Sequence, residues 1–158
     1  MILLLLRHGD AGKAGPEWPD DRLRPLSRLG RRQSRAMGKL ARRLGLKPTH
    51  AFTSPLTRAR ETAEEFLRAW KSPPRLKRLE LLAPGGDGGE ILVAMRGGGR
   101  MLEKKLILLT GHNPDMGGLA SRLGIPLHFG KGTLAVISWD GNPGTARLEL
   151  FLRAELLD

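Results

Sequence analysis

A short apolar run occurs twice in this chain, each time stopping abruptly at polar residues, and leaves it few ways to fold. Ile2 to Leu6 is followed by Arg7-His8-Gly9, and Lys105-Leu-Ile-Leu-Leu-Thr110 by Gly111-His112-Asn113-Pro114. Unbroken apolar runs of this length are the pattern of strands covered on both faces. In a parallel sheet, ligands bind in the crevice beyond the carboxyl ends of the strands. Arg7 and His8 are therefore expected at the floor of a crevice, with Gly9 allowing the backbone to turn and a ligand to come close. A strand that merely happens to end in Arg-His would carry the same letters, so the tripeptide needs company.

The rest of the chain supplies it. Ala11 to Pro25, with two glycines and three prolines, reads as a loop over the strand edge. Ser27 is placed to cap a helix whose apolar face is Leu29, Ala36, Met37, Leu40, Ala41 and Leu44, with Gly45 as its stop. The opposite face carries Arg28, Arg31, Arg32, Arg35, Arg42 and Arg43, which read as a solvated surface because no aromatic or amide groups accompany them. His50 to Thr53 reads as a second strand, running into Ser54 as helix cap and Pro55 at the first helical position. Leu56, Ala59, Ala63, Phe66, Leu67 and Trp70 then line one helix face, which puts Arg58 in the first turn, beside unpaired N–H groups and the positive end of the dipole. Alone, Arg58 would pass for a surface arginine.

Leu76 to Leu82 is read as a further strand and Glu90 to Arg96 as a helix closed by Gly97 to Gly99. The glycine-rich stretch Pro84 to Gly89 lacks both the Lys-Ser/Thr ending of a P-loop and the spacing of a dinucleotide fingerprint, so it reads as a helix-entry loop. Asn113 is expected to cap a helix beginning at Pro114 and packed through Met116, Leu119, Ala120 and Leu123. Leu134 to Trp139 and Thr145 to Leu152 read as two antiparallel strands joined by Asp140 to Gly144. Strands and helices otherwise alternate, which argues an α/β architecture with helices on both faces.

The 158 residues are read as one domain, 1–158. The net charge of +11 favours anionic partners. With three Trp, four Phe and no Tyr, a stacking platform for nucleic acid is poorly supplied, and nucleic acid is not the expected partner. No apolar run approaches a membrane span, no cysteine is present for disulfide or thiolate chemistry, and a cytoplasmic location is expected.

Three strand ends thus offer Arg7, His8, Arg58 and His112 to one edge. Two guanidiniums and two imidazoles make a site for a phosphoryl dianion, because phosphoryl transfer needs an in-line nucleophile and fixed positive charge on the equatorial oxygens. Nearby arginines would hold an imidazole in its neutral, nucleophilic form, and His8, on the turn beside Gly9, is the better nucleophile. His112 would then be a second partner of the transferring group. The four histidines (8, 50, 112 and 128) show no metal-binding spacing, and neither metal nor cofactor is expected.

These segments resemble a known family. Arg7-His8-Gly9, Ser54-Pro-Leu-Thr-Arg58-Ala-Arg-Glu-Thr62 and Gly111-His112-Asn113 resemble, in order and separation, the motifs of the histidine phosphatase superfamily. The compact length, Arg7-His-Gly-Asp-Ala11 and Arg24-Pro-Leu-Ser27 with Gly30 are most similar to its SixA branch of phosphohistidine phosphatases, which act on phosphorelay proteins. The resemblance implies the phosphoglycerate mutase-like fold, a three-layer α/β sandwich on a mostly parallel sheet with an antiparallel edge. It implies transient phosphorylation of His8, with Arg7, Arg58 and His112 binding the phosphoryl group and no metal required. Gly9 and Asn113 are further candidates for substrate contact.

Many superfamily members carry a carboxylic acid after the third strand to protonate an alcohol leaving group. Here the segment is Leu79-Glu80-Leu81, and Glu80 is the candidate acid, its direction open because a one-residue shift on a strand reverses the face. An alkoxide needs an acid, whereas the imidazole of a phosphohistidine departs far more readily. The expected activity is therefore hydrolysis of protein phosphohistidine, the partner being a phosphotransfer-type protein. The alternatives are a phosphomonoesterase or mutase acting on a small phosphate ester, and a non-catalytic basic module that binds phosphate or nucleic acid.

Overall fold

The computed structural model describes residues 1–98 and 104–157. Its centre is the opening apolar run, which forms β1 (Ile2–Arg7). Leu3, Leu4, Leu5 and Leu6 are all fully buried, as a strand with helices on both sides requires. Alternation then sorts them by face. Leu3 and Leu5 enter a cluster with Ile91, Met95, Met116 and Phe129, and Leu4 and Leu6 enter one with Met37, Ala41, Ala63 and Phe66.

The remaining elements follow in chain order: α1 (Arg28–Arg43), β2 (His50–Thr53), α2 (Thr57–Leu67), β3 (Leu76–Arg78), α3 (Gly88–Gly97), β4 (Leu106–Gly111), α4 (Asp115–Arg122), β5 (Leu134–Ser138) and β6 (Arg147–Leu152). They build one sheet in the order β3-β2-β4-β1-β5-β6. β1 runs parallel to β4, and β2 runs parallel to both β4 and β3. β5 is antiparallel to β1 and to β6, with a bulge between Val136 and Ile137. The fold is thus the expected α/β sandwich with its antiparallel edge. Helices α1 and α2 cover one face, α3 and α4 the other. Because β1, β2 and β4 are parallel neighbours, their carboxyl ends, at Arg7, Thr53 and Gly111, open on one edge.

Several local expectations are corrected. The buried face of α1 is Gly30, Gln33, Ser34, Met37, Gly38 and Ala41, while Leu29 and Leu44 are exposed. Backbone proximity selects this face: a Cβ on Gly30 would lie 2.1 Å from the Asp10 carbonyl oxygen, and one on Gly38 would lie 2.2 Å from that of Phe66. Leucines cannot occupy a contact that close. The arginine face of α1 is not simply solvated, since Arg31 pairs with Glu61 and Arg35 with Glu65 across to α2.

Helix α2 begins at Thr57 with Leu56 as cap, two residues later than Ser54-Pro55 suggests, although the Ser54 hydroxyl still accepts from Leu56 N at 3.2 Å. Trp70 lies beyond the helix and packs against the α1–α2 cluster. The segment from Leu76 is a strand only to Arg78, and Glu80–Leu82 turns as a 3₁₀ helix that buries Leu82. Helix α3 starts at Gly88, with the Asp87 side chain accepting from Gly89 N, and Gly98 caps its end; Gly99 lies outside the described residues. Pro114, not Asn113, caps α4. β5 stops at Ser138 and β6 starts at Arg147, so Trp139, Thr145 and Ala146 belong to the connection.

Candidate active site

The turn after β1 is held from four directions. Arg7 N donates to the Thr133 carbonyl, His8 N to that of Gly111, and Gly132 N to that of His8, each at 3.0 Å. Gly9 N donates to Thr62 Oγ1 at 3.0 Å, and the Thr62 hydroxyl donates to the Arg58 carbonyl at 2.7 Å. Thr62 is fully buried, so this one hydroxyl locks the turn carrying His8 to the first turn of α2 carrying Arg58. Gly9 is needed for close approach: a Cβ there would lie 3.0 Å from both the Gly30 carbonyl oxygen and Ser34 Oγ. Asp10 completes the turn, accepting from Ser27 Oγ at 2.7 Å and Lys131 Nζ at 2.7 Å, and these bonds hold its carboxyl down at about 2.

The His8 ring is buried and lies 5.0 Å, centroid to centroid, from the His112 ring. His8 Nδ1 is 2.7 Å from the Gly9 carbonyl oxygen. A carbonyl can only accept, so Nδ1 carries the proton and neutral His8 keeps its lone pair on Nε2. Burial, with the charges of Arg58, Arg7 and Arg24 acting in the same direction, lowers its pKa to about 4 against the pull of the Gly9 bond. His8 is therefore a neutral imidazole at neutral pH with its nucleophilic nitrogen defined.

His112 follows β4 and is 2 % exposed. Burial, then His8, Arg58 and Arg7, lower its pKa to about 3. Its Nε2 is 2.8 Å from Ser54 Oγ, which already accepts from Leu56 N at 3.2 Å. We assign the Ser54 proton to the His112 bond, which leaves the ring proton on Nδ1, a buried atom with no protein partner.

Arg7 Nη1 donates to the Phe129 carbonyl at 2.7 Å, and Asn113 Nδ2 donates to the same oxygen at 2.7 Å. Arg58 Nη1 donates to the Asp21 carbonyl at 2.9 Å and lies 3.1 Å from Asp21 Oδ2. Burial lowers the pKa of both guanidiniums, which nonetheless stay cationic. The Nε atoms of Arg7 and Arg58 are buried without a protein partner, as is His112 Nδ1. Buried donors are normally satisfied, so the two guanidiniums and the His112 ring retain donor capacity that the protein itself does not use. Among the described residues no group of His, Cys, Asp or Glu could hold a metal ion.

The structure thus brings Arg7, His8, Arg58 and His112 together, with Gly9 as the turn. Asn113 joins them at one remove, spending its amide N–H on the Phe129 carbonyl that also orients Arg7. Glu80 is exposed on the 3₁₀ turn after β3, where strand alternation no longer decides its direction, and it pairs with none of the four. A concavity of about 1230 Å³ opens at the opposite end of β1, beside Met1, Trp139 and Arg147, and none of the four lines it. Sequence reasoning missed the second tier: Ser54 on His112, Thr62 on Gly9, the Phe129 carbonyl and the Asp21 carboxylate. Ser54 and Thr62 stand in the motif, but spacing alone marks one as a cap and the other only as part of the pattern. Asp21 and Phe129 have no local signal.

Residues 3–80 match the histidine phosphatase superfamily (branch 1). An uncharacterised protein of Picosynechococcus sp. is 35% identical over 117 residues, 74% of this chain and 69% of the relative. Among solved structures, the protein histidine phosphatase SixA complexed with tungstate superposes with a TM-score of 0.89 at 25% identity, covering 100% of both chains. A putative phosphohistidine phosphatase SixA from Nakamurella multipartitia gives 0.76 at 25% identity, covering 96% of this chain and 95% of that one.

Proposed function

This chain belongs to the histidine phosphatase superfamily, and from that premise we propose that it hydrolyses phosphohistidine on a phosphotransfer-type protein through a phospho-His8 intermediate. The observation that carries the reading is the His8 Nδ1–H bond to the Gly9 carbonyl, which leaves a bare Nε2 beside two guanidiniums. In the first half-reaction Nε2 attacks phosphorus in line, the bond to the leaving group breaks, and the leaving group departs with its electron pair. The guanidiniums of Arg7 and Arg58, together with His112, stabilise the equatorial oxygens. In the second, water attacks phospho-His8, phosphate is released and His8 returns to its neutral form. The Gly9 carbonyl holds the imidazolium through both steps, as an acceptor fixed by the backbone.

Two features favour phosphohistidine over alkyl esters. The chain is similar throughout its length to a structure described as a protein histidine phosphatase. The candidate acid Glu80 is exposed and not joined to the cluster, which suits a leaving group that needs no strong acid. The test is His8→Ala, assayed on p-nitrophenyl phosphate, on a phosphohistidine protein and on sugar and nucleotide phosphates. The variant should lose turnover and phosphoenzyme trapping, and the wild type should prefer the phosphohistidine protein. Turnover persisting in His8→Ala would remove the mechanism, and a preference for sugar or nucleotide phosphates would remove the substrate.

A further inference from the structure

Asp21 opens a short 3₁₀ turn, Asp21–Leu23, that the motifs do not cover, yet its carboxylate reaches the phosphate-binding arginine. Oδ2 is 3.1 Å from Arg58 Nη1, and Oδ1 accepts from Arg24 Nε at 2.7 Å. Arg24 in turn donates through Nη1 to the Ala11 carbonyl at 2.9 Å, tying the carboxylate to the turn that follows His8. The Asp21 side chain is 47% exposed, so it stands at the rim, facing solvent, while Arg58 behind it is 8% exposed. Its charge is also felt at the His112 ring.

Orienting Arg58 does not require this charge. The Asp21 backbone carbonyl already accepts from the same Nη1 at 2.9 Å. For a site that binds phosphate esters in general, a carboxylate there is a cost, because it offsets one of the cations meant for the dianion and repels an anionic leaving group. The arrangement makes sense if the leaving group is itself a cation. An in-line attack by His8 from the floor of the site sends the leaving group outward, towards the rim where Asp21 stands.

We propose that Asp21 is a specificity residue that accepts a hydrogen bond from the distal ring N–H of a phosphorylated imidazolium and disfavours anionic leaving groups; the inference rests on the phosphohistidine reading above. The transfer is then a near-symmetric exchange between two imidazoles. His8 Nε2 gives its electron pair to phosphorus, and the substrate's P–N bond breaks with its pair returning to that ring nitrogen. The substrate leaves as a neutral imidazole that keeps its other ring proton on Asp21. His8 becomes the phosphorylated imidazolium and keeps its Nδ1 proton on the Gly9 carbonyl. The carboxylate has lone pairs to spare after serving Arg24 and Arg58, and those two bonds keep it ionised, below the usual carboxylate range.

The experiment compares kcat/KM of the wild type, Asp21→Asn and Asp21→Glu on free Nε2-phosphohistidine and on p-nitrophenyl phosphate. Asp21→Asn should lower the first on the order of tenfold, the size of one charge-assisted hydrogen bond, and raise the second. Asp21→Glu, which keeps the charge, should retain the wild-type preference. If both substrates fall together in Asp21→Asn, the carboxylate only holds Arg58 and the inference is overturned; unchanged rates overturn it as well. A wild type that turns over p-nitrophenyl phosphate but not phosphohistidine removes the parent reading and this inference with it. An active wild type with parallel losses in the variant removes the inference alone.

Discussion

Acid should weaken this protein through the same two imidazoles that build its site. His8 and His112 have pKa values lowered from 6.5 to about 4 and about 3, and both rings are buried. In the unfolded chain each would titrate near 6.5, so between that pH and the folded values the unfolded state binds more protons. Stability then falls as pH falls through this window, and the loss is complete only below the folded pKa. At about pH 4.5 each histidine is about two units below its unfolded pKa and still neutral when folded, which at about 1.4 kcal/mol per unit is roughly 2.7 kcal/mol each, or about 5 together. That is a large share of the roughly 5–15 kcal/mol typical of a domain. Urea denaturation at about pH 7 and pH 4.5 should show the wild type losing about 5 kcal/mol more than a His8→Gln/His112→Gln variant, the carboxylates cancelling in the comparison. Equal losses in the two proteins would refute the claim that these rings are held neutral by burial and by the arginines.

Two further outcomes are expected. Gly30→Ala places a Cβ 2.1 Å from the Asp10 carbonyl oxygen and 2.8 Å from its nitrogen, both backbone atoms, so the turn carrying His8 must shift; a cost of about 3 kcal/mol and a lower kcat are expected, read by thermal melting and p-nitrophenyl phosphate assay, and a melt within about 1 °C of wild type would contradict the contact. Glu80→Gln should change phosphohistidine turnover by less than about twofold, because a departing imidazole needs no strong acid; a tenfold loss would put Glu80 at the leaving group and favour the ester reading.

The fold was legible where hydrophobic pattern alone decides it. Leu3 to Leu6 and Ile107 to Leu109 are apolar because both faces of their strands are covered, and periodicity reports that directly. The convergence of the four candidate residues was legible too, since a parallel sheet delivers its strand ends to one edge. The buried face of α1 departs from its apolar pattern: its contacts are set by how close Asp10 and Phe66 backbone atoms come, and close approach selects Gly30 and Gly38 over leucines. The end of β3 is illegible for a related reason, because the chain turns at Glu80–Leu82 to bury Leu82 in the core, and nothing local signals that Ser54 meets a histidine 58 residues away.

Pattern along the chain was enough for the layers, the sheet edge that carries the candidate site and the kind of group found there, because short-range periodicity and strand direction suffice for each. Which nitrogen of His8 is free, what orients Arg7 and which carboxylate stands at the rim follow from packing in three dimensions. Those depend on a backbone carbonyl at Gly9, another at Phe129 and the reach of Asp21 to Arg58 across 37 residues of chain. Carbonyl oxygens are common to every residue, and what makes one of them functional is its position in space.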